Sequence, residues 1–191
     1  MDQGQAAVWA AAIGVPGVLL SGVLSYRAGR RQVRDQGANE HMQWLRQQRQ
    51  QCYVQFLQAV DACMKALEAH SVAIVGLSDR LEAGDLDAAT YDFDPLLFPA
   101  AVLSRIDELS KSRDGLLMLG PHEVDDQAEA TFSAIVAYWA AHGDAVVAMM
   151  SGQQADGHPA WNALATTEDA AIAERKEFIA ASRSVLTEPP K

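Results

Sequence analysis

The feature that most constrains this chain is an apolar segment near its amino terminus. Residues 6–26 read AAVWAAAIGVPGVLLSGVLSY and contain no Asp, Glu, Lys, Arg, His, Asn or Gln. As an α-helix this segment would extend about 31 Å, which matches the hydrocarbon thickness of a bilayer. We therefore predict a single transmembrane helix over residues 6–26, with a buried core helix and a signal peptide as the alternatives.

The charges that flank this segment predict its orientation. Only Asp2 precedes it, whereas Arg27, Arg30, Arg31 and Arg34 follow it directly. Because Arg and Lys accumulate on the cytoplasmic side, we expect the amino terminus outside the plasma (inner) membrane and the rest of the chain in the cytoplasm. The four arginines should then contact anionic lipid head groups. A cleaved signal peptide would carry its basic residues before the apolar run, which this chain does not.

Small residues recur within the apolar segment. Ala10 and Gly14 are four residues apart, and so are Gly17 and Ser21. Small residues at this spacing allow two membrane helices to approach closely, so these four are candidates for packing against a second transmembrane helix. The alternative is that such residues are simply common in membrane helices.

The remaining residues are typical of one helical domain. Alanine is abundant, arginine outnumbers lysine by 11 to 4, and β-branched residues are sparse, which favours helices over strands. From residue 50 onward, nine basic residues stand against 22 acidic ones, whereas residues 27–49 carry a net charge of +4. So acidic a domain is a poor partner for nucleic acid, and its basic part adjoins the predicted membrane segment.

The pattern of polar and apolar residues divides the chain into four parts. We predict an amino-terminal tail and anchor over residues 1–26, a basic stalk over 27–40, a helical domain over 41–187, and a disordered tail over 188–191. Asn39 is a candidate cap for a new helix over residues 40–83, with Gly84 as its stop.

That helix carries two apolar rows at heptad spacing, which are Tyr53, Val60, Leu67, Ile74 and Leu81, and Phe56, Cys63, His70 and Leu77. Further apolar positions widen the stripe, which favours the core of a bundle over a two-stranded coiled coil. Helices are also predicted over residues 99–120 and 121–150, and a last helix begins either at Pro159 or at the capping box of Thr166 and Asp169. The helix over residues 99–120 carries an apolar stripe that includes Leu103 and Leu117. The predicted fold is an all-α, antiparallel four-helix bundle.

The first bundle helix is longer than its partners require. Residues 40–52 extend beyond the length matched by the other helices, and Met42, Trp44 and Leu45 are the apolar residues of this overhang. We interpret these three as a possible contact for a partner or a second subunit. They could equally touch the lipid interface or cover the end of the bundle.

No catalytic motif, cofactor-binding motif or metal-ligand spacing is recognisable. His70 and His142 fall singly on core-facing stripes, so no nucleophile, base and acid can be placed together by helical spacing. We therefore expect neither catalysis nor a cofactor. Cys52 and Cys63 lie too far apart on one helix to form a disulfide, and we expect both to be reduced.

Residues 44–62, WLRQQRQQCYVQFLQAVDA, resemble a group of small uncharacterised actinobacterial proteins with an apolar amino-terminal segment before a helical domain. The resemblance implies a helical domain behind a membrane anchor, and it names no active residue. Our functional prediction is a membrane-anchored cytoplasmic interaction module. The alternatives are a sensor or enzyme that binds a small molecule or metal in the bundle core, and a component of a toxin or phage-defence system.

Overall fold

The structure is a computed structural model that describes residues 3–87, 90–97, 99–152 and 158–187. Within residues 3–39, side chains are described only at Gln36 and Gly37. The described residues form five helices and no strand, which confirms the all-α class. The helices are α1 (Gln3–Glu82), α2 (Asp94–Leu97), α3 (Ala100–Leu117), α4 (His122–Met150) and α5 (Pro159–Thr187).

The chain divides into two compact units, residues 1–45 and residues 46–191. The second contains the hydrophobic core, and we call it the helical unit. Within it, α4 packs against α2, α3 and α5. The domain boundaries predicted at residues 26 and 40 stay predictions. The tail predicted for residues 188–191 lies outside the described residues.

The expected break before residue 40 is wrong, because α1 continues through Gly37 and Asn39. A glycine inside a helix costs only about 1 kcal/mol, which neighbouring helical residues can offset. The predicted stop is confirmed, since α1 ends at Glu82 and Gly84 has a φ of 75°. The Gly84 N–H donates to the Leu81 carbonyl and the Asp85 N–H to the Arg80 carbonyl, which satisfies the last carbonyls of α1.

The helices predicted over residues 99–120 and 121–150 require a short connection, and the structure confirms it, because only four residues separate α3 from α4. Proline stands at the N-cap of each, as Pro99 before α3 and Pro121 before α4. At Gly120 the backbone approaches the Asp125 side chain so closely that a Cβ at this position would overlap the carboxyl group. A side chain at position 120 would therefore displace the Asp125 carboxyl group.

The core of the helical unit consists of two hydrophobic clusters. The first holds both predicted rows of α1 as far as Leu67, and it includes Phe56 and Phe178, whose ring centroids lie 4.7 Å apart. The second joins Ile74 and Leu77 of α1 to Phe93, before α2, and to Ala145, Val146 and Met149 of α4. The heptad rows thus correctly predicted the buried face of α1.

The structure corrects one expectation about packing. Leu103 and Leu117, assigned to the apolar stripe of the helix predicted over residues 99–120, are 38% and 46% exposed, whereas Val102, Leu109 and Leu116 are buried.

Among the residues searched, α4 is the one helix long and apolar enough to cross a membrane by length and composition. The core helix of a soluble protein passes the same test, and α4 buries 11 residues inside the protein, including Val124, Ile135 and Tyr138. The side chains of residues 6–26 lie outside the described part of the chain.

We expect a fragment of residues 39–191 to be soluble, mainly helical and free of disulfide, because the helical unit has its own core and both cysteines are free. Circular dichroism and thiol titration measure this directly. A spectrum dominated by strand or coil, or a melting temperature that changes with reducing agent, would contradict the prediction.

Candidate functional site

A group of polar side chains lies in the core where the first hydrophobic cluster adjoins the second, and one of its members, Tyr138, belongs to the first cluster. We call this group the polar layer, and its members are His70 and Ser71 of α1 and Tyr138 and His142 of α4. On α1 the layer separates Leu67 of the first cluster from Ile74 of the second. His142 and Tyr138 are almost completely buried, His70 is 7% exposed, and Ser71 is half-buried.

Hydrogen bonds place one proton of His142 on Nδ1. Its Nδ1 lies 2.8 Å from the Tyr138 carbonyl oxygen, which can only accept, so Nδ1 carries the proton and donates. In the neutral ring, Nε2 then accepts from the Ser71 hydroxyl, whose Oγ is 2.7 Å away. The Leu67 carbonyl oxygen lies 3.2 Å from the same Nε2. Burial lowers the pKa of His142, which favours this neutral form.

Tyr138 extends the network towards α5. Its hydroxyl lies 3.2 Å from Ser71 Oγ and donates to it, because the Ser71 proton is already donated to His142. Burial raises the pKa of Tyr138, and the neighbouring Glu168 carboxylate of α5 helps to raise it, so the phenol remains protonated at neutral pH. Hydrogen bonds therefore connect Tyr138, Ser71 and His142 between α1 and α4, and Glu168 of α5 lies close to Tyr138.

His70 completes the layer by stacking on His142. The two ring centroids are 5.3 Å apart and the rings are inclined by 29°. Burial and the neighbouring His142 lower the pKa of His70, while a hydrogen bond to the Leu96 backbone opposes this shift. His70 thereby links the layer to α2, the short helix that contains Leu96.

The structure overturns the expectation that the histidines lie singly, because it places both together with Ser71 and Tyr138. Ser71 and His142 meet the distance requirement for a nucleophile and its base, and the Tyr138 carbonyl orients the imidazole. His142 is fully enclosed, so a substrate would have to reach Ser71 from the half-buried side of that residue. The chemistry that the contacts directly provide is proton exchange along hydrogen bonds.

Among the described residues, no group of three or more His, Cys, Asp or Glu side chains is arranged to hold a metal ion. The two histidines of the polar layer could supply two ligands, and a metal site in a helical core normally requires more.

An open groove of about 530 Å³ lies beside the polar layer, between α1 and α5. Glu68 and Glu168 line it, and the negative charges of both carboxylates help to raise the pKa of Tyr138. Asp61 and Arg175 form an ion pair in the same groove, with Arg175 Nε 2.7 Å from Asp61 Oδ1. Glu168, which lies close to Tyr138, therefore adjoins solvent.

The second candidate region is the apolar part of the predicted overhang. Trp44 is 51% exposed and stacks on His41 with a centroid distance of 5.9 Å, whereas Met42 and Leu45 are half-buried. All three candidate contact residues fall in the unit formed by residues 1–45, and none belongs to either hydrophobic cluster.

Two further sets of predicted site residues lie outside the described side chains. These are the lipid-facing arginines Arg27, Arg30, Arg31 and Arg34, and the small residues Ala10, Gly14, Gly17 and Ser21. Their roles stay predictions from the sequence.

No family model, curated protein or solved structure matches this chain. The resemblance over residues 44–62 to small actinobacterial proteins therefore stays an expectation.

Proposed function

We propose that this protein is a single-pass membrane protein whose four-helix bundle acts as an interaction module on the cytoplasmic side. The sequence supports the anchor through the uncharged residues 6–26 and the arginines that follow them. A bundle is supported by the packing of α4 against its neighbours and by the shared core of α1, α3, α4 and α5.

The observation that carries the proposal is the exposure of Trp44. A tryptophan exposes a large apolar area and is enriched at protein interfaces, where it often contributes much of the binding energy. Trp44 lies outside the hydrophobic clusters, so its apolar surface is not needed for the core. We assign residues 42–45 to contact with a protein partner or a second copy of the chain.

Replacing Trp44 and Leu45 by alanine should weaken self-association or partner capture, as measured by crosslinking in native membranes. The same change should alter the free energy of unfolding of the helical unit by less than about 0.5 kcal/mol, because it removes no core contact.

A matched control is the double replacement of Val54 and Val72 by alanine. Both valines are exposed apolar residues of α1, at 46% and 69%, and both lie within the helical unit. This control should leave crosslinking unchanged. Unfolding of the domain by the Trp44 and Leu45 changes would assign these residues to the core and would remove the proposed contact site.

A second candidate function is a sensor or enzyme that uses the core. The convergence of His70 and His142 with Ser71 and Tyr138 favours it, because polar groups that meet in a core can bind a ligand or react. Metal analysis of the purified full chain distinguishes the candidates. A stoichiometric ion that is lost on replacing His70 or His142 would support the second function.

A further inference from the structure

The polar layer interrupts the core at one level of the helical unit. His70 and Ser71 on α1, and His142 on α4, lie where one hydrophobic cluster ends and the other begins. A buried polar group stabilises a fold only while all its hydrogen bonds are satisfied, so the layer is sensitive to any change in its protons.

His142 has oxygen atoms in reach of both ring nitrogens. Nδ1 already donates to the Tyr138 carbonyl, while Nε2 lies 2.7 Å from Ser71 Oγ and 3.2 Å from the Leu67 carbonyl oxygen. A second proton on Nε2 would find these acceptors, but Ser71 would have to turn its own hydroxyl proton away. Proton uptake would therefore reverse the hydrogen bond between Ser71 of α1 and His142 of α4.

The groups around His70 and His142 determine how readily these rings gain a positive charge. His70 stacks on His142 from α1, so a proton on either ring repels a proton on the other. The other titratable groups near the pair are Glu68 of α1, Tyr138 of α4 and Glu168 of α5. Glu168 favours a charge on His142, whereas burial opposes it, and burial is the larger effect.

The second hydrophobic cluster is the part of the fold that this rearrangement would affect first. It is the smaller of the two, and it is completed by apolar residues of the connection between α1 and α3, among them Tyr91, Phe93 and Leu96. His70 is hydrogen-bonded to the backbone of Leu96 in the same connection. Small clusters beneath irregular segments open more easily than the main core.

We propose that the polar layer is a proton-binding site, in which proton uptake by the His70–His142 pair loosens the second cluster and the α2 segment that covers it. The groove lined by Glu168 is open to solvent, and Glu168 lies close to Tyr138, which is hydrogen-bonded to Ser71.

The direction of the response follows from the lowered pKa of both histidines. We call the fold with the second cluster intact the closed form, and the fold with that cluster loosened the open form. In the open form the histidines gain protons at about pH 6.5, the ordinary histidine pKa, whereas in the closed form they gain protons only at a lower pH. Stability of the closed form is therefore complete above about pH 6.5 and is lost as the pH falls below it. At pH 5.5 opening should increase about tenfold for each histidine that gains a proton on opening.

Amide hydrogen exchange of the full chain in lipid nanodiscs, corrected for intrinsic rates, tests this at pH 7.5 and 5.5. Protection over residues 74–82, 91–97 and 145–150 should fall at the lower pH, while protection over residues 53–67 should not. His70→Gln and His142→Gln should each reduce the pH dependence. His122→Gln, at an exposed position of α4 outside the layer, should preserve it.

If His142→Gln does not fold, the proposal is tested by His70→Gln and by NMR titration of the histidine ring protons in the unmodified chain. Two of the five histidines should then titrate below pH 6.5. The proposal would be overturned if amide protection were equal at both pH values, or if both clusters lost protection equally at the lower pH. It would also be overturned if both variants kept the pH dependence, or if none of the five histidines titrated below pH 6.5.

Discussion

Replacing Phe178 by alanine should destabilise the helical unit by roughly 3–5 kcal/mol, the range found for large-to-small changes at buried aromatic residues. Phe178 is fully buried on α5, its ring centroid lies 4.7 Å from that of Phe56, and it meets Tyr53 edge-on at 6.2 Å. The change removes the contact between α5 and α1 at the centre of the first cluster. Since small domains are stable by about 5–15 kcal/mol, most of the protein should melt at a markedly lower temperature.

Urea denaturation of residues 39–191 measures the effect, and Ile172→Ala is the matched control. Ile172 lies on the same helix and is 37% exposed, so its truncation should cost less than about 1 kcal/mol. Equal losses from the two variants would show that α5 does not use Phe178 to pack against α1.

The second large effect concerns the apolar segment. Replacing both Val15 and Leu20 by aspartate should abolish stable membrane insertion, because each aspartate near the centre of a membrane helix costs about 2.5–3.5 kcal/mol on the insertion scale. The full chain should then be released by carbonate washing, whereas the unmodified chain should remain in the membrane fraction. A reporter fused after Lys191 should be active in the cytoplasm.

A control exchanges the same two residues, as Val15→Leu with Leu20→Val, which preserves the composition of the segment. This variant should remain membrane-bound. Release of the unmodified chain by carbonate would refute the anchor. Activity of the reporter outside the cell would refute the orientation.

Periodicity predicted much of the helical unit correctly because a buried helix face repeats regularly. The heptad rows identified residues such as Phe56, Val60 and Leu67 as buried, and glycine and proline marked the ends of α1 and the starts of α3 and α4. The exposed Leu103 shows the limit of this reasoning, since periodicity cannot tell how wide a face the neighbouring helices cover.

The polar layer was missed because its contacts join different helices. Ser71 and His142 are 71 positions apart, so no spacing within one helix reveals their hydrogen bond. A signal was nevertheless present. His70 lies 17 residues after Tyr53, the first core residue of α1, and His142 lies 18 residues after Val124, the first of α4. In the predicted bundle these two helices point the same way, which places both histidines at one level.

The close approach of Gly120 and Asp125 makes these two positions interdependent over evolutionary time. Glycine at 120 leaves room for the carboxyl group, whose Oδ1 is buried and whose pKa is raised by burial. A larger residue at position 120 would therefore need either a rotation of the Asp125 carboxyl group or a shorter residue at 125, such as alanine or serine.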